Sequence, residues 1–118
     1  MEKVSFRQMK DGTKEDYELL GRYEERFVKD LPDRLLEMLK GLDSSLDGYQ
    51  ISRLEHSLQS ATRAEKDGAD EEMIVATLLH DIGDSLAPHN HSQLVAAIIR
   101  PYVSDKTHWI ITVSYTHL

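Results

Sequence analysis

The sequence of 118 residues contains no cysteine. A disulfide framework, a thiolate nucleophile and an iron–sulfur or cysteine-based zinc site are therefore excluded. Any metal ion must be bound by nitrogen and oxygen atoms. Such ligands are plentiful, because the chain has six histidines and 21 acidic residues.

Basic residues are scarce by comparison, with 14 Lys and Arg and a net charge of -7. Nucleic acids and acidic membranes are bound by clustered Lys and Arg, so we predict that neither is a partner. No apolar run approaches the length that spans a bilayer, and the N-terminal MEKVSFRQMK lacks the apolar stretch of a signal peptide. We expect a cytoplasmic protein whose partner is a small-molecule substrate. Its oligomeric state cannot be inferred from the composition.

Apolar residues recur at helical spacing, and no segment has strand-like alternation of useful length, which predicts an all-α fold. We predict helices over residues 13–29, 35–41, 51–66, 73–82, 90–99 and 104–111. The expected N-caps are Thr13, Asp70, Asn90 and Ser104, and Gly68 is expected to end the third helix. The third helix has an expected apolar stripe of Ile51, Leu54, Leu58 and Ala61, with His56 on its opposite side.

The chemistry of the chain is indicated by the place of His80 and Asp81, at the end of the fourth predicted helix. Residues 74–79 of that helix are apolar on all sides, which predicts that it is buried. A buried carboxylate requires a charged partner or a metal ion. Asp81 lies about 100° around the helix from His80, so both can reach one cluster, with the carboxylate bridging two ions. His56 and His91, on flanking helices, can complete it.

Three segments resemble the HD-domain superfamily: residues 51–59 (ISRLEHSLQ), residues 78–83 (LLHDIG) and residues 90–91 (NH). The nearest branch is that of the HD-domain mixed-valent di-iron oxygenases of phosphonate degradation. The match covers about residues 46–111 and implies an HD-domain helical bundle. Residues 1–45 fall outside it and are interpreted as an N-terminal helical extension.

The resemblance implies that His56 and His80 bind one iron, that His91 binds the other, and that Asp81 bridges them and carries the catalytic role. Two iron ions are the implied cofactor, with Mn, Mg or Zn as the alternative. Such oxygenases oxidise a hydroxylated substrate carbon and cleave its bond to phosphorus. Two alternatives remain: an HD-type phosphohydrolase of nucleotides or phosphate esters, and a non-catalytic helical domain with a vestigial metal site.

The sequence departs from the phosphonate oxygenases beside the metal motif. Leu46 and Tyr49 stand where those enzymes have a gating Tyr and Glu, and Asp84 stands where they have a histidine. We predict that Tyr49 and Asp84 contact the substrate.

The C-terminal residues also differ from the family pattern. HD proteins complete the cluster with a further His and a late Asp, and this chain has neither. Residues 112–118 (TVSYTHL) resemble the translation of a common sequencing-library transposon adapter. We therefore predict a C-terminally incomplete HD domain over residues 46–111, a non-native tail over residues 112–118, and no ligand role for His117. Because unpaired ligands bind metal poorly, we expect weak or absent activity.

Overall fold

A computed structural model describes residues 2–44, 48 and 50–114. Its α-helices are α1 (Lys14–Lys29), α2 (Leu31–Gly41), α3 (Arg53–Lys66), α4 (Glu71–Leu79), α5 (His91–Ile99) and α6 (Asp105–Ser114). Short 3-10 segments lie at Met9–Asp11, Leu42–Ser44 and Arg100–Tyr102. Over the described residues there is no β-strand, and the predicted all-α class is confirmed.

The chain divides into two compact units between Arg34 and Leu35. The sequence places a boundary later, between residues 45 and 46, and this boundary stays a prediction, as does the start of a tail at residue 112. In the structure, Leu35 and Leu39 pack with the core of the second unit.

The N-terminal unit is organised around the first turn of α1. Thr13 accepts a hydrogen bond from the backbone amide of Asp16, and Asp16 accepts one from the amide of Thr13, which confirms the predicted capping box. The Asp16 carboxylate also accepts hydrogen bonds from the amide and hydroxyl of Ser5. These contacts tie the segment before α1 to the start of that helix.

The second unit has one apolar core, formed by helices α2 and α4 to α6 and by the segments that follow α2 and α4. Its buried residues are Leu39, Leu42, Ala76, Leu79, Ile82, Val95, Ala96, Ile99 and Ile111. Helix α3 packs along α4, and α5 packs along α6. The core therefore fixes the end of α4 against the start of α5.

The buried face of α3 differs from the prediction. Ser52 caps the helix, which begins at Arg53, and the buried positions are Ser57 and Ala61. Of the expected apolar stripe, Ala61 is buried and Leu54 packs partly buried against the core, whereas Ile51 and Leu58 are exposed. The helix is rotated so that the side carrying Ser57 faces α4, which brings the neighbouring His56 toward the end of α4.

Helix α4 is shorter and less buried than predicted. It ends at Leu79, so His80 and Asp81 lie in the turns that follow it. Ala76 and Leu79 are buried, but Val75 is 46% exposed. The prediction of burial on all sides is therefore wrong for one face, since a short helix at the edge of a small core contacts neighbours on part of its surface.

Besides the Thr13 cap, three more of the predicted helix ends are confirmed. Asp70 caps α4 and Ser104 caps α6 through their side-chain oxygens, and Gly68 has a φ of +83° beyond α3. Asn90 precedes α5 but makes no capping hydrogen bond. Its backbone, at φ -147° and ψ 35°, departs from the extended conformation that brings a capping side chain over the helix amides.

The longest α-helix of the described residues, α1, has 16 residues and a polar composition. None of the helices in this part of the chain is long and apolar enough to cross a membrane. The cytoplasmic location stays a prediction.

Candidate metal centre

Three segments converge at the end of α4. Helix α3 presents Arg53 and His56, which are three residues apart and so lie on one face. The turns after α4 carry His80 and Asp81, and α5 begins at His91. The structure thus brings together all four residues for which the sequence predicts metal binding; their role as ligands stays a proposal.

The turns after α4 are held by local hydrogen bonds and by the core. The amide of His80 donates to the carbonyl of Thr77, and the amide of Ile82 donates to that of Leu79. Ile82 is 1% exposed and anchors the segment in the core. At Gly83, a Cβ atom would lie 2.6 Å from Cδ2 of Leu94, so glycine permits the close approach of α5. This packing fixes the backbone on either side of Asp81.

The two carboxylate oxygens of Asp81 face different histidines. Oδ2 lies 3.1 Å from Nε2 of His80 and 3.7 Å from Nε2 of His56. Oδ1 lies 3.1 Å from Nε2 of His91. Asp81 is buried, so its carboxylate is held between the two sets of imidazoles.

The ring of His80 is oriented by its own helix. Its Nδ1 lies 2.5 Å from the carbonyl oxygen of Thr77 and donates a hydrogen bond to it, which turns Nε2 toward Asp81. The ring of His56 packs edge-on against His80, with 5.5 Å between the ring centroids. The side chain of His56 is 45% exposed, so solvent reaches the cluster beside His56.

These residues fit metal ions. Donor atoms of His56, His80 and Asp81 all lie within 4.8 Å of one another. Imidazole nitrogen and carboxylate oxygen bind first-row metals at about 2.0–2.2 Å, so two donors on one ion stand roughly 3–4 Å apart. The observed separations around Asp81 have that spacing. Nitrogen and oxygen donors without sulfur suit iron or manganese, and also zinc or magnesium.

Arg53 and Asp84 complete the surroundings of Asp81, and Arg53 is not among the residues predicted from the sequence. Nη2 of Arg53 lies 3.3 Å from Oδ2 of Asp81, and its Nε lies 3.3 Å from Oδ2 of Asp84. The signal that points to Arg53 is its spacing of three residues from His56, which puts both side chains on one face of α3.

Neighbouring charges shift the pKa values of His80 and Asp81. Burial disfavours the imidazolium form of His80, but the adjacent Asp81 carboxylate outweighs burial and raises the pKa of His80 above its ordinary value. Burial likewise disfavours ionised Asp81, yet the hydrogen bond and charge of His80, with the charges of Arg53 and His91, keep the pKa of Asp81 below its ordinary value. The carboxylate is thus kept in the form that binds metal.

The remaining predicted site residues have different outcomes. Asp84 lies in the cluster, where Oδ1 is 3.5 Å from Nδ1 of His91; its contact with substrate stays a prediction. Tyr49, Leu46 and His117 lie outside the described residues.

A comparison with protein families agrees with this geometry. The sequence model described as "HD domain" matches residues 53–112, about half of the chain. The chain belongs to the HD-domain family. HD domains bind divalent metal ions, and the matched range contains all the residues of the cluster. The predicted family and helical fold are confirmed.

Among characterised proteins, the chain is similar to a [1-hydroxy-2-(trimethylamino)ethyl]phosphonate dioxygenase (glycine-betaine-forming) of Leisingera caerulea. The two are 51% identical over 41 residues. This segment covers 35% of the chain and 21% of the dioxygenase, so the chain matches about a fifth of that relative's length.

Proposed function

We propose that this HD domain binds two metal ions through the carboxylate of Asp81. His56, His80 and Asp81 would hold one ion, the first, and His91 and Asp81 would hold the other, the second. The observation that carries the proposal is that each oxygen of one buried carboxylate faces a separate set of imidazole nitrogens. A carboxylate in that position spaces two ions and lowers their mutual repulsion.

We further propose that the ions are iron and that the centre serves an oxygenase acting on a small, α-hydroxylated, phosphonate-like substrate. The similarity to the phosphonate dioxygenase and the sulfur-free donor set support this. Bound iron would supply redox chemistry with dioxygen and a Lewis acid for the substrate hydroxyl.

The residues of the chain have separate tasks in this proposal. Thr77 fixes the ring of His80, so that Nε2 stays aimed at the first ion. The half-exposed His56 lies where substrate can enter, and the buried Asp81 carboxylate would hold the two ions together.

Oxygen uptake tests the proposed reaction. The chain is loaded anaerobically with Fe²⁺ and mixed with oxygen and [1-hydroxy-2-(trimethylamino)ethyl]phosphonate, the substrate in the relative's name. We expect slow uptake with formation of glycine betaine, both abolished in Asp81→Ala and retained in the surface variant Asp67→Ala. Equal uptake by the wild type and Asp81→Ala would contradict an oxygenase at this centre.

A second candidate is metal-dependent hydrolysis of a nucleotide or another phosphate ester. One observation favours it: the half-exposed side chain of His56 lets solvent reach the cluster, where a bound ion would activate a water. Phosphate release with Mn²⁺ in the absence of oxygen, lost in Asp81→Ala, would favour this candidate. Metal binding without either reaction would favour a non-catalytic domain with a vestigial site.

A further inference from the structure

The side chain of Asp84 is 10% exposed, and both of its oxygens face partners in the second unit. A buried carboxylate is costly unless it is paired. Oδ2 lies 3.3 Å from Nε of Arg53, and Oδ1 lies 3.5 Å from Nδ1 of His91. Asp84 therefore lies between an arginine of α3 and the first residue of α5.

The two nitrogens of His91 face two different carboxylates. Nε2 is 3.1 Å from Oδ1 of Asp81, on the side where an ion would bind, and Nδ1 faces Asp84 on the opposite side of the ring. A neutral imidazole that donates a proton from one nitrogen keeps the lone pair of the other for a metal. An acceptor beyond Nδ1 thus sets which nitrogen of His91 is available as a ligand.

The same arrangement exists at His80, with a different acceptor. There, the carbonyl of Thr77 accepts a hydrogen bond from Nδ1–H, and Nε2 faces Asp81. Both histidines that approach Asp81 within 3.1 Å therefore have an oxygen beyond their far nitrogen. Such outer acceptors orient metal-binding histidines and raise their basicity.

Arg53 connects Asp84 to the bridging carboxylate. Its Nε contacts Asp84 while its Nη2 contacts Asp81, and its side chain is largely buried. The guanidinium is a planar fork whose donors have fixed relative positions. It therefore holds the two carboxylates at a set separation, with His91 between them.

We propose that Asp84 is a positioning residue that orients His91, accepting a hydrogen bond from Nδ1–H so that Nε2 is presented to the second ion. The proposal rests on the metal centre described above. A small rotation of either side chain would shorten the 3.5 Å separation between Oδ1 of Asp84 and Nδ1 of His91 to a hydrogen bond.

Long-range ¹H–¹⁵N spectra of the histidine rings test the orientation without any metal. In the metal-free chain we expect a proton on Nδ1 of His91 in the wild type and in Asp84→Asn, whose amide oxygen still accepts a hydrogen bond. In Asp84→Ala the neutral ring should carry its proton on Nε2, toward Asp81. An unchanged His91 ring in Asp84→Ala would overturn the proposal.

Zinc titration tests the consequence for metal binding. We expect Asp84→Ala to weaken the second Zn²⁺ about 10–100-fold while changing the first by less than about twofold, and Asp84→Asn to recover most of the loss. The matched control is Asp67→Ala, which removes the exposed ion pair between Arg63 and Asp67 of the same unit. If the binding of both ions is weakened equally in a folded Asp84→Ala chain, the positioning role of Asp84 is overturned.

The two experiments separate this inference from the proposed function. If the wild type binds no Zn²⁺, the metal centre is wrong, and the ring spectra of the metal-free chain still decide whether Asp84 orients His91. If the wild type binds two ions and Asp84→Ala binds them equally well, the proposed metal centre is supported and the proposed role of Asp84 is contradicted.

Discussion

Nε2 of His91, the first residue of α5, lies 3.1 Å from Oδ1 of Asp81, which lies in the turns after α4. The other oxygen of the same carboxylate faces histidines of α3 and of the α4 end. This division makes the two halves of the cluster chemically unequal. One half has two imidazoles among the described residues, and the other has one.

The unequal halves predict separable metal sites. His91→Ala should weaken the second Zn²⁺ by roughly 10–100-fold or more and leave the first nearly unchanged. His56→Ala should weaken the first ion instead. Isothermal titration of both variants measures this, with His89→Ala, an exposed histidine two residues before His91, as the control. If His91→Ala and His56→Ala each weaken the binding of both ions to the same extent, the two sites are not separate.

Arg53 lies against Oδ2 of Asp81, the oxygen that faces the histidines of the first ion. Removing its charge in Arg53→Gln should lower the free energy of unfolding of the metal-free chain by about 1–3 kcal/mol, since two buried carboxylates lose a charged donor. The affinity of the first ion should rise, because the ion no longer shares Oδ2 with a guanidinium.

Urea unfolding and zinc titration of Arg53→Gln check both changes. Arg63→Gln is the matched control, because Arg63 lies on the same helix with an exposed side chain. A weaker first ion in Arg53→Gln, with unchanged stability of the metal-free chain, would show that Arg53 supports the ligands and does not compete with the metal.

The convergence of His56, His80, Asp81 and His91 could be predicted because a His–Asp pair after an apolar helix demands partners, and those histidines lie on flanking helices. The rotation of α3 could not be read from apolar spacing alone. Leu54 and Ala61 lie on the side of α3 that packs, as the spacing predicts, but the polar Ser57 is buried there and the apolar Leu58 is exposed, which the contact with α4 decides.

The contact of Arg53 with the cluster is a tertiary effect. An arginine in the first turn of a polar helix has the pattern of a solvated residue, and nothing local indicates that two carboxylates from the turns after α4 will lie beside it. The end of α4 at Leu79 differs from the predicted end for a related reason. Helical propensity continues through Ile82, but the turns that place His80 and Asp81 are held by the core contact of Ile82.

Ile82 follows Asp81 directly and is 1% exposed, so its packing sets the position of the bridging carboxylate. Ile82→Ala should lower the free energy of unfolding by about 2–5 kcal/mol and weaken both ions. Val75→Ala removes an exposed side chain from α4 and should cost less than about 1 kcal/mol. Chemical denaturation of the metal-free chains measures this. If the free energy of unfolding falls no further in Ile82→Ala than in Val75→Ala, Ile82 does not anchor the segment.

The hydrogen bonds to the Asp16 carboxylate make its contribution to stability depend on pH in a predictable direction. Hydrogen bonds from the backbone amides of Thr13 and Ser5 lower the pKa of Asp16 below 3.8. The stabilisation is therefore present above the ordinary pKa and is lost as the pH falls through the lowered one. The amide resonance of Ser5 should follow this titration with a midpoint below 3.8 and should be flat in Asp16→Asn. A midpoint at or above 3.8 would contradict the assigned contacts.

The most direct test of the account is the number of metal ions bound by Asp81→Asn, which retains the shape of the side chain and loses its charge. Equilibrium dialysis against Zn²⁺ followed by metal analysis gives that number, with Asp67→Asn as the control. The account predicts two ions of unequal affinity in the wild type and the control, and loss of both in Asp81→Asn. Two ions bound by Asp81→Asn with wild-type affinity would contradict a centre bridged by Asp81.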